Sequence, residues 1–291
     1  MPGYALDQCG LYAVKSRTQL AARLGRSTKF IAARADKPEL YKVWDEPKKS
    51  GGFRIIEAPR DDLKVIQKRI ADLLQRVLPP EYLFSPVKGR SYVENALVHR
   101  GAKEVRLLDL ANYFGNCTAL SVFAFFRDTM KCTPDVAWTL TGLTTRSGHL
   151  PQGSPCSPIL SFYICKPMWD EIAKLVHEAG CIITIYVDDV TVSGPFVAED
   201  LIWQIKQILR GYGHSYQQKK ERRHWERAAE ITGVIIGPDK VCVPHRHYQK
   251  MQTARLDARV AQDEKSKASL LARARSLESQ VQRLHILTRA N

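Results

Sequence analysis

The sequence predicts an α+β protein, and three observations carry that reading. Short runs of β-branched and aromatic residues, such as Ile182-Ile183-Thr184-Ile185-Tyr186-Val187 and Val190-Thr191-Val192, suit half-buried strands. Other segments, such as residues 62–78, repeat apolar side chains at helical spacing. Finally, 291 residues can bury enough core for one large domain or two to three sub-domains.

Taken in order, residues 16–35 read as a helix carrying Leu20, Leu24, Phe30 and Ile31, with Ser16 or Thr18 as cap. Tyr41-Lys42-Val43-Trp44 and Phe53-Arg54-Ile55-Ile56 read as strands. They flank the turn signal Pro47-Lys48-Lys49-Ser50-Gly51-Gly52 and so form a hairpin with a basic tip. An amphipathic helix over 62–78 places Ile66, Ile70, Leu73, Leu74 and Val77 on one stripe, and Pro79-Pro80 ends it. Residues 105–110 form an apolar strand with one acid, Asp109. Helices follow over 119–130 and 134–141, then a loop at Leu150-Pro151-Gln152-Gly153-Ser154-Pro155, then one long helix over 157–177. Beyond the run at 182–192 come an amphipathic helix over 198–210 and a strand over 231–236. In the tail, Leu270, Leu277 and Leu284, with Leu271, Val281 and Ile286, predict one apolar seam on a basic helix.

Hydrophobic content of 44% and charged content of 25% are ordinary for a soluble globular protein. A net charge of +14 with a pI near 9.5 is not, and it points to a polyanionic partner: nucleic acid or an acidic membrane surface. Residues 240–291 hold eleven Lys/Arg against four Asp/Glu, half the net charge of the chain. The first ten residues have no apolar core, so they are not a secretory signal, and no apolar run approaches membrane-span length. The seven cysteines include no Cys-x-x-Cys pair, which speaks for free thiols in a reducing cytoplasm and against a zinc site or a disulfide framework.

The most informative stretch is Tyr186-Val187-Asp188-Asp189, where two adjacent carboxylates interrupt an apolar run at a chain reversal. Carboxylates beside a buried sheet are costly unless compensated, and a divalent cation compensates them. If the strand ending at Asp109 neighbours this hairpin, three carboxylates converge. They could then hold two metal ions about 4 Å apart, one activating a hydroxyl and one stabilising a leaving pyrophosphate. Magnesium fits, because it binds through a few carboxylates and shares its shell with substrate phosphates.

The order Leu107-Leu108-Asp109-Leu110-Ala111-Asn112-Tyr113-Phe114, Leu150-Pro151-Gln152-Gly153-Ser154-Pro155, Tyr186-Val187-Asp188-Asp189 resembles the core of reverse transcriptases. Asn95-Ala96-Leu97-Val98-His99 matches the Asn-Ala-x-x-His element of the retron type, and Ile231-Thr232-Gly233 its Val-Thr-Gly element. Pro59, Leu63-Lys64 and Gln67 fit the same pattern, and the resemblance runs from about residue 16 to 250. Two positions depart from it. Asn112 stands where many relatives carry another acid, and Val187 where retron relatives have Ala.

The resemblance implies a right-hand polymerase: N-terminal helices and fingers over 1–104, a palm over 105–240 with fingers helices inserted at about 119–150, and a basic helical thumb over 241–291. It implies Asp109, Asp188 and Asp189 as ligands of two Mg²⁺ ions, and Lys220 as the acid that protonates pyrophosphate, with Lys219 the alternative. Lys48, Lys49, Arg54, Phe114, Gln152 and Gly153 would bind the deoxynucleoside triphosphate, Phe114 by excluding a ribose 2′-hydroxyl. Asn95, His99, Arg246, Lys250, Arg255, Arg273 and Arg275 would bind RNA, a satisfied structural histidine being the other reading of His99. The implied activity is RNA-directed DNA synthesis on the enzyme's own structured non-coding RNA. Priming from a guanosine 2′-hydroxyl would yield a branched RNA-linked single-stranded DNA, in anti-phage defence with a separate effector protein. The alternatives are another compact bacterial reverse transcriptase, of group II intron or abortive-infection type, and an RNA-binding scaffold without polymerase activity.

Overall fold

The computed structural model describes residues 3–48, 51–237, 241–242, 245–261 and 263–289. Ser16 caps α1 (Arg17–Leu24) by accepting from Gln19 N, and Gly25 closes it in the left-handed conformation. Ser27 then caps α2 (Thr28–Ala32). The helix expected over 16–35 is therefore two, because Gly25 turns the chain. β1 (Tyr41–Pro47) and β2 (Phe53–Pro59) form the expected antiparallel hairpin, separate from the main sheet. α3 (Asp61–Leu74) buries Leu63, Ile66, Ile70, Leu73 and Leu74. It ends short of the expected Leu78, because Arg76 O and Leu78 N bond to the backbone of Tyr4 instead, at 3.1 and 2.8 Å.

β3 (Leu83–Ser85) and α4 (Tyr92–Leu97), the latter opened by a Ser91/Glu94 capping box, lead into β4 (Glu104–Ala111). α5 (Tyr113–Asn116), α6 (Ala119–Ala124), a π-helical turn at Phe125–Thr129 and α7 (Pro134–Thr144) follow. The single helix expected over 157–177 is two, α8 (Ser157–Ile164) and α9 (Lys166–Glu178). Pro167 has no N–H to offer the Tyr163 carbonyl, so the helix breaks at Cys165.

β5 (Ile182–Tyr186) and β6 (Asp189–Gly194) form the acid-bearing hairpin. Then come α10 (Glu199–Gly211), β7 (Ser215–Tyr216), β8 (Arg222–Trp225), β9 (Ala229–Ile231), β10 (Val234–Ile236), β11 (Val241–Cys242), α11 (His245–Val260) and α12 (Glu264–Arg289). The strand expected over 231–236 is a tight hairpin: Thr232 and Gly233 both take positive φ, 46° and 92°, as a type I′ turn requires.

The main sheet runs β3-β5-β6-β4, with β7 and β8 both on the outer edge of β4. β3, from the segment expected to hold only helices and fingers, adds a parallel edge strand through Leu83↔Ile185. One core joins α1–α3 to the helices behind the sheet, around the fully buried Trp169, Phe126 and Phe162. A smaller core of Val93, Ala96, Val105, Ala229, Ile231, Val234 and Ile236 ties α4 to the β9–β10 hairpin.

At the C-terminus α11 packs on α12, where Ala254, Ala258 and Ala274 are buried and Arg255 donates to Glu278 at 2.7 Å. The expected leucine seam is only partly realised: Leu270 and Leu277 are half-buried and Leu271 is exposed, because small alanines fill the closest approach. The side chains of Val281, Leu284 and Ile286 lie outside the described residues. No described helix is long and apolar enough to cross a membrane.

Candidate active site

On β4 the pleat sends Leu108 and Leu110 into the core and Asp109 to the open face. On β6, Val190 and Val192 do the same and leave Asp189 beside Asp109. The two aspartates are a register pair, so their Cα atoms lie about 4.5–5.5 Å apart. Asp188 occupies the two-residue turn, and its carbonyl accepts from Leu110 N at 2.9 Å. Just before it, Val187 holds φ at 62°, a left-handed conformation that a β-branched residue rarely adopts. The first turn position of a type II′ hairpin requires that φ, and it swings Asp188 out over the end of β4.

The acids strain one another electrostatically. Burial, then Asp109, pushes the Asp188 carboxyl above the usual range. Burial, then Asp188 and Asp109, pushes Asp189 up to about 7, while Lys220 opposes the rise. Both oxygens of Asp109 are engaged: Gln217 Nε2 donates to Oδ1, and Lys220 Nζ to Oδ2 at 2.7 Å. Gln217 N also donates to Asp109 O at 2.7 Å, which fixes the 218–220 turn over the strand end. Of the two lysines it is Lys220 that touches Asp109, and Gln217 joins it there although no motif had signalled it. The donor set fits magnesium: hard carboxylate oxygens, two of them reluctant to ionise together, with an ammonium already drawn to the third.

A cleft of about 1140 Å³ opens in front of Asp188, lined by Lys48 and Arg54 of the hairpin and by Phe114, Gln152 and Lys220. Arg54 pairs with Glu46 across the hairpin. Lys49 lies outside the described residues. Phe114 stands at the cleft wall beside Tyr113, ring centroids 5.7 Å apart. Asn112 starts α5 in the left-handed conformation, and its side chain fills the space where a Cβ on Gly115 would fall, 2.4 Å from Nδ2.

Gly153 is not among the cleft-lining residues. It lies under the hairpin, where a Cβ would come within 3.1 Å of Ile56 Cγ2 and 3.2 Å of Glu57 O. Here Glu57 N donates to Gln152 O at 2.7 Å. The buried Glu57 carboxylate accepts from Arg146 and lies 2.9 Å from His149 Nε2, so a three-residue network clamps hairpin to loop. No motif in the sequence marks Glu57.

A second, smaller cleft adjoins the acids, lined by Asp109, Asp189, Lys220, Thr232 and Lys250. Lys250, expected at RNA, thus lines a cleft at the acid-bearing end of the sheet. Arg273 and Arg275 are exposed, Arg255 is paired with Glu278, and the Arg246 side chain lies outside the described residues. Asn95 and His99 are corrections, because neither reaches the surface: each is 1% exposed. His99 sits between Ser193 Oγ and Thr184 Oγ1, 2.7 Å from each, and burial pulls its pKa down to about 3. Asn95 donates to Thr232 Oγ1 at 3.2 Å, and Thr232 in turn donates to Tyr92 O at 2.9 Å. The Asn-Ala-x-x-His and Ile-Thr-Gly elements are therefore two halves of one structural joint.

Residues 46–236 match the family described as reverse transcriptase (RNA-dependent DNA polymerase). The chain belongs to the reverse transcriptase family. Its likeness to the retron type is also shown. It is 27% identical over 221 residues to the Retron Ec86 reverse transcriptase of Escherichia coli, covering 73% of this chain and 68% of that protein. With the Retron Mx65 reverse transcriptase of Myxococcus xanthus it shares 28% identity over 264 residues, 79% of this chain and 60% of that protein. With the Retron Se72 reverse transcriptase of Salmonella heidelberg it shares 29% over 185 residues, 62% and 48%. The chain thus spans about half the length of the Se72 relative. A solved foamy viral protease-reverse transcriptase in complex with an RNA/DNA hybrid aligns at a TM-score of 0.41 and 18% identity, over 74% of this chain and 25% of that one.

Proposed function

We propose that this chain is an RNA-directed DNA polymerase of retron type. The observation that carries the reading is the pairing of Asp109 with Asp189 across β4 and β6, with Asp188 in the turn facing a cleft closed by Lys48 and Arg54. Asp109, Asp188 and Asp189 would hold two Mg²⁺ ions, which supply activation of the primer hydroxyl and charge neutralisation on the pyrophosphate. Lys48 and Arg54 bind the triphosphate, since charge-assisted contacts suit phosphate oxygens. Phe114 fills the space a ribose 2′-hydroxyl would need, which favours deoxynucleotides. Gln152 contacts the nucleotide, while Gly153 lets its loop seat against the hairpin. Lys220 donates a proton to the departing pyrophosphate.

Residues 1–104 supply the N-terminal helices and fingers, 105–240 the palm, and 241–291 a basic thumb whose Arg273 and Arg275 face RNA. The substrate is the enzyme's own structured non-coding RNA. A guanosine 2′-hydroxyl primes the copy, and the product is a single-stranded DNA joined to that RNA. Such a product serves anti-phage defence in the cytoplasm through a separate effector protein. The test is primer extension by the purified chain with Mg²⁺ and its RNA. Asp188→Asn with Asp189→Asn is expected to abolish extension while leaving RNA affinity unchanged. Normal polymerisation by the double variant would remove the catalytic assignment.

A further inference from the structure

Cys117, Cys165 and His214 come from three distant segments and meet behind the cleft wall. Cys117 closes α5, Cys165 lies between α8 and α9, and His214 lies in the turn from α10 to β7. Their sulfur and nitrogen atoms all fall within 4.8 Å of one another, and the residues are 1%, 5% and 5% exposed. The separations are 3.9 Å between the two sulfurs and 3.3 Å from Cys165 Sγ to His214 Nε2. A tetrahedral zinc ion, with bonds of about 2.3 Å to sulfur and about 2.0 Å to nitrogen, sets its ligands roughly 3.8 Å (S to S) and 3.5 Å (S to N) apart. Two of the three separations already match such a tetrahedron, and the third pair lies within 4.8 Å.

As a hydrogen-bonded cluster the same group is weakly satisfied: Cys117 Sγ donates to Tyr113 O at 3.5 Å, and the histidine fares worse. His214 Nδ1 is buried with no partner among the described residues, and Nε2 has only a sulfur. Thiols are weak partners, and a buried imidazole held only by one forgoes most of its hydrogen bonding. A metal bond at Nε2 replaces that weak partner with a strong one, while Nδ1 is unpartnered with or without the ion.

We infer that Cys117, Cys165 and His214 bind a zinc ion that ties the α5 turn to the α8–α9 junction and the α10–β7 turn. The three residues supply three of the four ligands zinc takes, and a water completes the set. His214 also packs against Tyr113, ring centroids 5.5 Å apart, and Tyr113 adjoins Phe114 at the cleft wall, so the tie braces that wall. The absence of Cys-x-x-Cys does not bear on this site, because the fold rather than local spacing assembles it.

The test is metal content and cobalt spectroscopy of the full chain, made without a histidine tag. About one zinc per chain is expected by elemental mass spectrometry, falling at least tenfold in Cys165→Ser and in Cys117→Ser. Protein expressed with cobalt should show thiolate-to-cobalt charge-transfer absorption and the intense visible bands of tetrahedral cobalt. Wild-type protein without zinc and without cobalt bands would overturn the proposal. So would zinc retained at full level in both variants, or a Cys117–Cys165 disulfide in the purified chain. Should the serine variants fail to fold, the cobalt spectrum of the wild type decides alone. None of these readouts depends on the catalytic acids, so a negative result leaves the polymerase reading intact.

Discussion

At the scale of residues, the site is governed by carboxylates that repel one another. Asp189 sits at about 7 in the folded chain, against about 3.9 when unfolded. The native state therefore holds that proton more tightly. The associated stability is fully present below about pH 4 and is lost as pH rises through about 7. Asp189→Asn removes the penalty. In magnesium-free buffer it should raise stability by on the order of 2 kcal/mol at pH 8 and by less at pH 5. Calorimetry at both pH values checks this, and equal shifts would contradict it. Lys220 touches Asp109, whereas Lys219 is exposed and its carbonyl accepts from Arg222. Lys220→Ala should slow single-turnover extension by at least about tenfold. Lys219→Ala should change it by less than about twofold, and equal losses would undo the assignment of the acid.

At the scale of elements, what matters is how pieces remote in sequence are joined. Glu57, Arg146 and His149 lock the hairpin to the Gln152–Gly153 loop, and Asn95 with Thr232 locks α4 to the β9–β10 turn. His99 ties α4's end to the middle of β5 and β6 through Thr184 and Ser193. This joint makes His99 a stability residue. His99→Ala should destabilise the fold by roughly 2–4 kcal/mol in denaturant titration, since two buried hydroxyls lose their partner. RNA affinity measured well below the melting point should not move; a loss there with unchanged stability would return His99 to the RNA surface.

At the scale of the whole molecule, charge is distributed unevenly. The main sheet holds its acids at one end, while half of the +14 lies beyond residue 239. Binding of the RNA should therefore release many counterions, with a steep fall of affinity as salt rises. Arg273→Ala with Arg275→Ala should reduce that log–log slope by roughly 1.5 and weaken binding without altering metal dependence. A slope that the double variant leaves unchanged would show that these arginines lie off the RNA path.

Much of this was legible in the sequence, because the features concerned are local. Short apolar runs marked β4, β5 and β6, turn residues marked the hairpins, and the acids stood out as charges within those runs. What stayed illegible arose from contacts across the chain. Pro167 and Gly25 divided two expected helices, and bonds to Tyr4 stopped a third. Burial turned Asn95 and His99 from ligand candidates into braces. By itself the sequence determined the strands, the turns and the three aspartates, since those depend on side-chain type and short-range spacing. Only the tertiary structure decided that Gln217 and Lys220 hold Asp109, that Glu57 clamps the hairpin, and that two cysteines and a histidine meet. Such partners lie tens of residues apart, and packing rather than local preference chooses among them.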